Sequence, residues 1–187
     1  GSGSAIAAGL PYLHQAMIVS GHPGGLAVSI MDGDAISPTN TVRQPFCASE
    51  IGLNKAVVTV SRLNLFWGVH WTAVPEHLAD TTDLGNVDIV IGCVDTRSAR
   101  RLISEKVEGL RSRVSYWLDL GNTADGGQFV LGAYDDLQAV TGAAIVFLLC
   151  TSNALVCEVE DRQQHRQILL GPIEERPHRV DLEHQPV

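Results

Sequence analysis

Hydrophobic and polar positions along the first two thirds of the chain alternate between two patterns. Apolar residues with helical spacing predict a helix near the start, with Ser4 as its N-cap, and a second helix that begins at Ser49. Residues 96–112 form a third, charged segment with helical spacing. Short apolar runs between the helices are typical of strands covered on both faces of a parallel sheet, and they predict strands at residues 26–31, 70–74 and 87–93. We therefore expect an α/β fold of the Rossmann-like, doubly wound type with a mostly parallel sheet.

The last third of the chain carries more strand-like segments. These are residues 115–120, 128–131, 154–160 and 167–170. Gly121 and Asn122 are predicted to end the first of them, and the strongly apolar residues 137–149 predict a buried helix. We expect an antiparallel β extension in this part, one domain over residues 1–173 and a polar tail over residues 174–187.

Composition and charge narrow the class of protein. Hydrophobic residues make up 45% of the 187 residues, and the formal net charge is -8. An acidic chain disfavours binding to nucleic acid or to an anionic membrane, because both reward a basic face. The longest apolar run, residues 143–150, is far shorter than the roughly 20 residues that span a bilayer. Since no basic region and apolar block open the sequence, we expect a cytoplasmic protein without a membrane segment.

The four cysteines do not form a recognisable framework. Cys47, Cys93, Cys150 and Cys157 include no C-x-x-C pair, which disfavours a zinc site of the paired-cysteine kind. The first three lie in apolar surroundings and are predicted to be buried. We therefore expect no disulfide framework, and we expect the protein to be in a reducing compartment.

Two aspartates follow predicted strands and define a candidate site. Ligands of doubly wound sheets bind outside the carboxyl ends of the strands, where Asp32 and Asp95 are both expected. Asp32 is suited to the hydroxyls of an adenosine ribose, but it could also be an ordinary turn residue. Asp95 is suited to Mg²⁺. Two structural alternatives for Asp95 are an N-cap for the following helix and an ion pair with Arg100.

Polar and cationic residues between the two aspartates are suited to phosphates. Asn40 and Gln44 supply amides, Arg43 a forked cation and Lys55 a point charge at the start of a helix. The alternative is that Arg43 and Lys55 are solvated surface residues. The glycines at the predicted first helix start, Gly1 and Gly3, would let backbone N–H groups approach a phosphate, unless they are a cloning remnant. Together these residues predict binding of ATP and attack on its α-phosphate.

The order and spacing of these residues resemble the ThiF/MoeB superfamily of ubiquitin-activating-type enzymes. Three motifs carry the resemblance: Asp32, Asp34, Ile36, Asn40, Arg43 and Gln44; then Ile51, Gly52, Lys55 and Ala56; then Cys93, Asp95 and Arg100. The sequence of residues 43–55, followed by that of residues 64–68, resembles ThiF-like proteins of PRTRC systems and related bacterial ubiquitin-like operons. The resemblance covers roughly residues 1–150.

The resemblance implies a function and a role for each residue. Family members adenylate the C-terminal carboxylate of a ubiquitin-like or sulfur-carrier protein with ATP and Mg²⁺, and most are homodimers. By this match Asp32 would hold the ribose, and Asp95 would hold Mg²⁺. The phosphates would contact Asn40, Arg43, Lys55 and the end of a glycine-rich loop at Gly1 and Gly3.

The chain also departs from the family pattern. The family has a central strand before its glycine-rich loop, whereas the sequence opens at Gly1. It also has a long crossover segment that often carries a thioester cysteine, and here Asp135 and Asp136 lead almost directly into the predicted apolar helix. Neither Cys47 nor Cys150 is assigned as that cysteine. Three alternatives therefore remain open: a catalytically inactive scaffold for a ubiquitin-like partner, adenylation of a small molecule or tRNA base, and an NAD-dependent oxidoreductase, which the combination of Arg43, Lys55 and Asp95 disfavours.

Overall fold

The computed structural model describes residues 1–22, 24–110, 114–122, 127–133 and 144–150. The helices are α1 (Ser2–Val19), α2 (Asn40–Arg43), α3 (Lys55–Trp67) and α4 (Arg97–Gly109), with a short 3₁₀ helix at Ala48–Glu50. The strands are β1 (Leu26–Met31), β2 (Thr72–Val74), β3 (Ile89–Cys93), β4 (Tyr116–Asn122), β5 (Gly127–Ala133) and β6 (Ala144–Cys150). This is the α/β fold that the alternating pattern predicts.

The six strands form one sheet in the order β2-β1-β6-β3-β4-β5. The pairs β1–β2, β1–β6, β3–β6 and β3–β4 are parallel, and β4–β5 is antiparallel. The mostly parallel sheet with an antiparallel extension is therefore confirmed. The carboxyl ends of β1, β6 and β3 lie at the same edge, because these three neighbouring strands run in one direction.

The prediction of a helix over residues 137–149 is wrong where the structure describes it. Residues Ala144–Cys150 form β6, which pairs with β1 on one side and β3 on the other. A strand covered on both faces is apolar throughout, so its sequence shows neither a helical nor an alternating period. β6 occupies a central place in the sheet, and the sheet is continuous from β2 to β5.

Helices cover both faces of the sheet. One core cluster joins Ala7 and Leu10 of α1 and Ala56 and Val60 of α3 to the strands. A second cluster joins Ile103 and Val107 of α4 to the opposite face. Helices on two faces of a parallel sheet are the doubly wound arrangement, and they leave the strand ends open to a ligand.

Several element bounds differ from the sequence prediction, and three of the differences bear on the interpretation. The N-cap of α1 is Gly1, so the proposal that Ser4 caps this helix is wrong. α3 begins at Lys55 rather than at Ser49, because Asn54 caps it by accepting a hydrogen bond from the Val57 amide. β4 continues through Gly121 and Asn122, since its ladder with β5 extends over both residues.

The chain divides into two units, Gly1–Val156 and Cys157–Val187. All described residues belong to the first unit. The predicted hairpin at residues 154–170 and the polar tail lie outside the described residues, so the domain division at residue 173 stays a prediction. In the part of the chain that the structure describes, no helix is long and apolar enough to cross a membrane.

Candidate functional site

The candidate site lies at the edge of the sheet where β1, β6 and β3 end. Asp32 follows β1 directly, and Asp95 follows β3 by two residues. β6 lies between these strands. Adjacent strands are about 4.8 Å apart, so the two strand ends are separated by roughly 10 Å. This span suits a ligand that reaches from one aspartate to the other across the end of β6.

Asp32 is a buried carboxylate. Its residue is 7% exposed, and its Oδ1 accepts a hydrogen bond of 2.9 Å from the backbone N–H of Asp34. Burial raises the pKa of Asp32 to about 6, although the Asp34 N–H and Lys55 act against this. Loss of water disfavours the charged form more than these two groups favour it. The carboxylate is therefore charged but poorly compensated near neutral pH, which favours it as an acceptor for ligand hydroxyls.

Asn54 joins the turn after β1 to the start of α3. Its Nδ2 donates to the Asp32 carbonyl at 2.8 Å, while its Oδ1 caps the helix by accepting from the Val57 amide at 3.0 Å. One side chain thus fixes both the turn that carries Asp32 and the helix that carries Lys55. An Asn at an N-cap is a common sequence signal that could have identified this link, although the sequence analysis placed the start of the helix at Ser49.

Lys55 is the first residue of α3 and is 5% exposed. Its Nζ lies 3.0 Å from Asp34 Oδ2, and its backbone N–H donates to the Asp34 carbonyl at 2.9 Å. The interpretation of Lys55 as a solvated surface lysine is therefore wrong. A buried ion pair costs desolvation. Here it holds the charge of Lys55 in a defined position beside Asp34.

Asn40, Arg43 and Gln44 lie on or beside α2. Asn40 Oδ1 accepts hydrogen bonds from the Ser37 N–H at 2.8 Å and from the Ser37 hydroxyl at 2.9 Å. Within the described residues its Nδ2 donates to no group, so this buried amide keeps a donor for a ligand. Arg43 is exposed, and Gln44 Nε2 lies 3.9 Å from where a Cβ on Gly1 would stand. Gln44 therefore borders the start of α1.

The first turn of α1 sits on the ends of β3 and β6. A Cβ built on Gly3 would lie 2.3 Å from Cys150 Sγ and 3.5 Å from Cys93 Cβ. Only glycine permits so close an approach of the helix to the strands. The positive end of this 18-residue helix consequently faces the strand-end edge, where it favours an anion.

Asp95 is exposed, and it interacts electrostatically with other charged residues of the site. The surrounding chain removes enough water to raise the pKa of its carboxyl, while Arg100, Arg43 and Lys55 act to lower it. Arg43, Lys55 and Asp95 come from three separate elements, and the two cations lie within electrostatic range of the Asp95 carboxylate.

The match of the sequence to a known protein family gives separate information on the chemistry of this site. The sequence model of the ThiF family matches residues 16–115, just over half of the chain. The chain belongs to the ThiF family. The matched range includes Asp32, Asn40, Arg43, Lys55 and Asp95, whereas Gly1 and Gly3 precede it. No curated protein matches the chain. ThiF proteins are generally adenylyltransferases, and they typically act with ubiquitin-like or sulfur-carrier proteins.

Both structural alternatives for Asp95 are wrong in this ThiF protein. Thr96, not Asp95, is the N-cap of α4, and its side chain accepts a hydrogen bond from the Ala99 amide. Arg100 pairs with Asp119, with Arg100 Nε 3.0 Å from Asp119 Oδ2. Within the described residues, Asp95 is left without a hydrogen bond or ion pair.

The donors at this edge fit Mg²⁺ held mainly by a nucleotide. No three His, Cys, Asp or Glu side chains of the described residues form a set that could hold a metal ion. Mg²⁺ commonly takes only one or two carboxylates and completes its shell with substrate phosphates and water. Asp95, a carboxylate without an ion-pair partner among the described residues, matches that pattern.

The cysteines differ in part from the prediction. Cys93 is buried and Cys150 is nearly so, but Cys47 is exposed, which corrects its placement in the core. Cys47 lies just before the short 3₁₀ helix, with its Sγ 3.1 Å from the Ser49 hydroxyl. Cys47, Cys93 and Cys150 are free cysteines, whereas Cys157 lies outside the described residues.

Sequence reasoning assigned no role to three residues that shape the site. Asp34 pairs with Lys55, and Asp119 pairs with Arg100. His77 lies against the backbone of Gly33, since a Cβ there would lie 2.5 Å from its ring. Each partner is distant along the chain, so no local pattern identified these contacts.

Proposed function

We propose that this ThiF protein adenylates the C-terminal carboxylate of a ubiquitin-like or sulfur-carrier protein. A carboxylate oxygen of the partner would attack the α-phosphorus of ATP. The bond from that phosphorus to the bridging oxygen would break, which gives an acyl adenylate and pyrophosphate. The observation that carries the proposal is one edge of the sheet, where Asp32 and Asp95 follow β1 and β3 and Asp34 pairs with Lys55. The first turn of α1 packs on Cys150 at the same edge.

The adenosine half of ATP would lie at the end of β1. Asp32 would accept hydrogen bonds from the ribose hydroxyls, as acids at strand ends of doubly wound folds do. Its geometry supports this, because Asn54 and the Asp34 N–H hold the turn in place. A prepositioned acceptor loses little entropy when it binds the ligand.

The phosphates would lie between α2 and the start of α1. Asn40 Nδ2, Gln44 and the first-turn N–H groups of α1 supply donors, and Arg43 and Lys55 supply positive charge. Charge develops on pyrophosphate as the α–β bond breaks, and fixed cations there stabilise the transition state. Asp34 supports this role by holding Lys55 Nζ at 3.0 Å rather than letting it move in water.

Asp95 would hold Mg²⁺ on the phosphates. When bound, this ion neutralises phosphate charge and polarises the phosphoryl group. The chain's own contribution is to keep a carboxylate at the end of β3, unpaired within the described residues and within range of Arg43 and Lys55.

The partner and the assembly are part of the same proposal. A homodimer follows from the resemblance to the family, and a partner encoded in a bacterial ubiquitin-like operon of the PRTRC kind follows from the resemblance of residues 43–55 and 64–68. The cytoplasmic location stays a prediction. The NAD-dependent alternative gains no support from the site, because hydride transfer does not call for a paired lysine, an arginine and a free carboxylate together.

ATP–pyrophosphate exchange tests the proposal. Wild-type protein should catalyse exchange that depends on Mg²⁺ and on the partner's C-terminal carboxylate, and Arg43→Ala should lower the rate roughly 10²-fold. Exchange with a partner whose C-terminal carboxylate is amidated would contradict the proposal. Tight partner binding without any exchange would favour the scaffold alternative. Exchange that depends on a small molecule or a tRNA would favour adenylation of that substrate instead.

A further inference from the structure

Arg100 is held at two points by β4. Its Nε lies 3.0 Å from Asp119 Oδ2, and its Nη2 donates to the Leu120 carbonyl at 3.3 Å. The Arg100 and Asp119 side chains are 27% and 15% exposed, respectively. The guanidinium therefore has a fixed position at the edge of the sheet that carries the site.

The start of α4 places Arg100 within reach of Asp95. Thr96 is the N-cap, so Asp95 is the residue before the cap and Arg100 is the fourth helical residue. These two positions lie over the same first turn, where hydrophobic side chains often pack against each other. Arg100 is also the charged group that most strongly lowers the pKa of Asp95. An Asp95–Arg100 ion pair is therefore within reach by local helix geometry, yet Arg100 pairs with Asp119.

The pairing with Asp119 is not an efficient way to stabilise the fold. Asp119 Oδ1 is buried and has no hydrogen-bond partner among the described residues. It is confined beside Gly92, where a Cβ would lie 3.0 Å from this oxygen. Burial also raises the pKa of the Asp119 carboxyl. A half-satisfied buried carboxylate costs free energy, which points to a role other than stability.

We propose that Asp119 is a positioning residue that holds Arg100 away from Asp95 and so leaves the Asp95 carboxylate open to a divalent cation. This inference rests on the proposed function, in which the cation is the Mg²⁺ of bound ATP. Asp119 touches neither cation nor nucleotide in this account. Asp119 affects cation binding only by fixing the position of Arg100. Removal of Arg100 should therefore restore cation binding in a variant that lacks Asp119.

Protein-dependent binding of Mn²⁺ in the presence of ATP provides the test, measured as the change in the electron paramagnetic resonance signal relative to the same Mn²⁺–ATP solution without protein. Asp119→Ala should release Arg100 to pair with Asp95 and weaken Mn²⁺ binding about tenfold. Arg100→Ala should bind Mn²⁺ at least as well as wild type, because it removes a competing cation. The double variant should return to within about threefold of wild type.

A purely structural role for Asp119 predicts a different pattern. Damage to the fold would persist or worsen in the double variant, so failure of Arg100→Ala to rescue Asp119→Ala would overturn the inference. Unchanged Mn²⁺ binding in Asp119→Ala would overturn it as well. If Asp119→Ala does not fold, Asp119→Asn, which keeps a hydrogen-bond acceptor for Arg100, should weaken binding by less than tenfold and be rescued in the same way. Absence of Mn²⁺ binding in wild type would instead reject the proposed function, and this inference with it.

Discussion

Lys55 Nζ lies 3.0 Å from the Asp34 carboxylate, which fixes a buried cation at the first residue of α3. Lys55→Ala should lower the rate of ATP–pyrophosphate exchange roughly 10²- to 10³-fold, because it removes the fixed positive charge that would stabilise the leaving pyrophosphate. It should also reduce the free energy of unfolding by on the order of 1–3 kcal/mol, since Asp34 loses its ion-pair partner. Exchange assays and urea unfolding measure the two effects.

Lys106→Ala is the matched control for that variant. Lys106 Nζ donates to the Asp80 and Thr82 carbonyls at 2.8 and 2.7 Å, so its removal also costs hydrogen bonds. It lies in the last turn of α4, at the end opposite to Asp95. The control should lose stability but keep exchange. Equal activity loss in both lysine variants would argue that Lys55 acts only through stability.

Glycine at position 3 is required by the fold of the site. In Gly3→Ala the new Cβ would stand 2.3 Å from Cys150 Sγ, so α1 must shift away from the strand ends. We expect a loss of about 1–3 kcal/mol in unfolding free energy, as in other overpacked sites, and weaker ATP binding. Calorimetric unfolding and ATP titration report both quantities.

Gly9 and Cys150 supply the controls for this prediction. A Cβ on Gly9, in the same helix, meets no atom within 4 Å. Gly9→Ala should therefore stabilise the protein by about 0.5–1 kcal/mol through helix propensity. Adding Cys150→Ala should recover part of the loss in Gly3→Ala, because it removes the nearest clashing atom. Additive losses in that double variant would contradict the steric explanation.

The raised pKa of Asp32 predicts that this residue destabilises the free protein at neutral pH. Its pKa is about 6 in the fold against 3.8 as the ordinary value, so the native state binds more protons than the unfolded state between these pH values. The stability contribution of Asp32 therefore falls as pH rises from about 4 to 6 and then stays constant. Asp32→Asn should be more stable than wild type by on the order of 1–3 kcal/mol at pH 8, and equally stable near pH 4.

Urea unfolding of wild type and Asp32→Asn across this pH range checks the prediction. Other carboxyl groups titrate alike in both proteins, so the difference between the two curves isolates Asp32. The variant should also bind ATP more weakly, since an amide is a poorer acceptor for ribose hydroxyls. A stability difference that does not change with pH would show that the pKa of Asp32 is not raised.

Asp95 should determine the dependence on Mg²⁺. Asp95→Asn should raise the Mg²⁺ concentration needed for exchange at least about tenfold, because it removes the charge that attracts the ion. Asp83→Asn is the control, because Asp83 Oδ1 only accepts a hydrogen bond from the Gly85 amide, which an asparagine can also accept. A similar Mg²⁺ dependence in Asp95→Asn and wild type would remove Asp95 from the metal site.

Much of the fold was predictable because its strands carry strong local signals. β1 has the predicted bounds, and Asp32 and Asp95 were placed at one edge from strand direction alone. β6 was missed because an apolar strand with neighbours on both sides has no distinguishing period. The pairing of β6 with β1 and β3 is visible only in the tertiary structure.

The ionic partners within the site were not predictable from local patterns. Arg100 could have paired with Asp95 by helix geometry, and only the register of β3 and β4, which puts Gly92 beside Asp119, explains why it does not. Asp34 and Lys55 likewise meet only because Asn54 joins the turn to the helix. Sequence therefore indicated which residues carry the chemistry, but not which residues hold them in place.

Analysis of the phosphate products tests the central claim most directly. Wild-type protein is mixed with Mg²⁺, the ubiquitin-like partner and ATP radiolabelled at the γ-phosphate, and the products are separated after an acid quench. Attack at the α-phosphate predicts label in pyrophosphate, in an amount equal to the adenylate formed. Label in an acyl phosphate or in inorganic phosphate, with ADP as the other product, would place the attack at the γ-phosphate and contradict adenylation by this site.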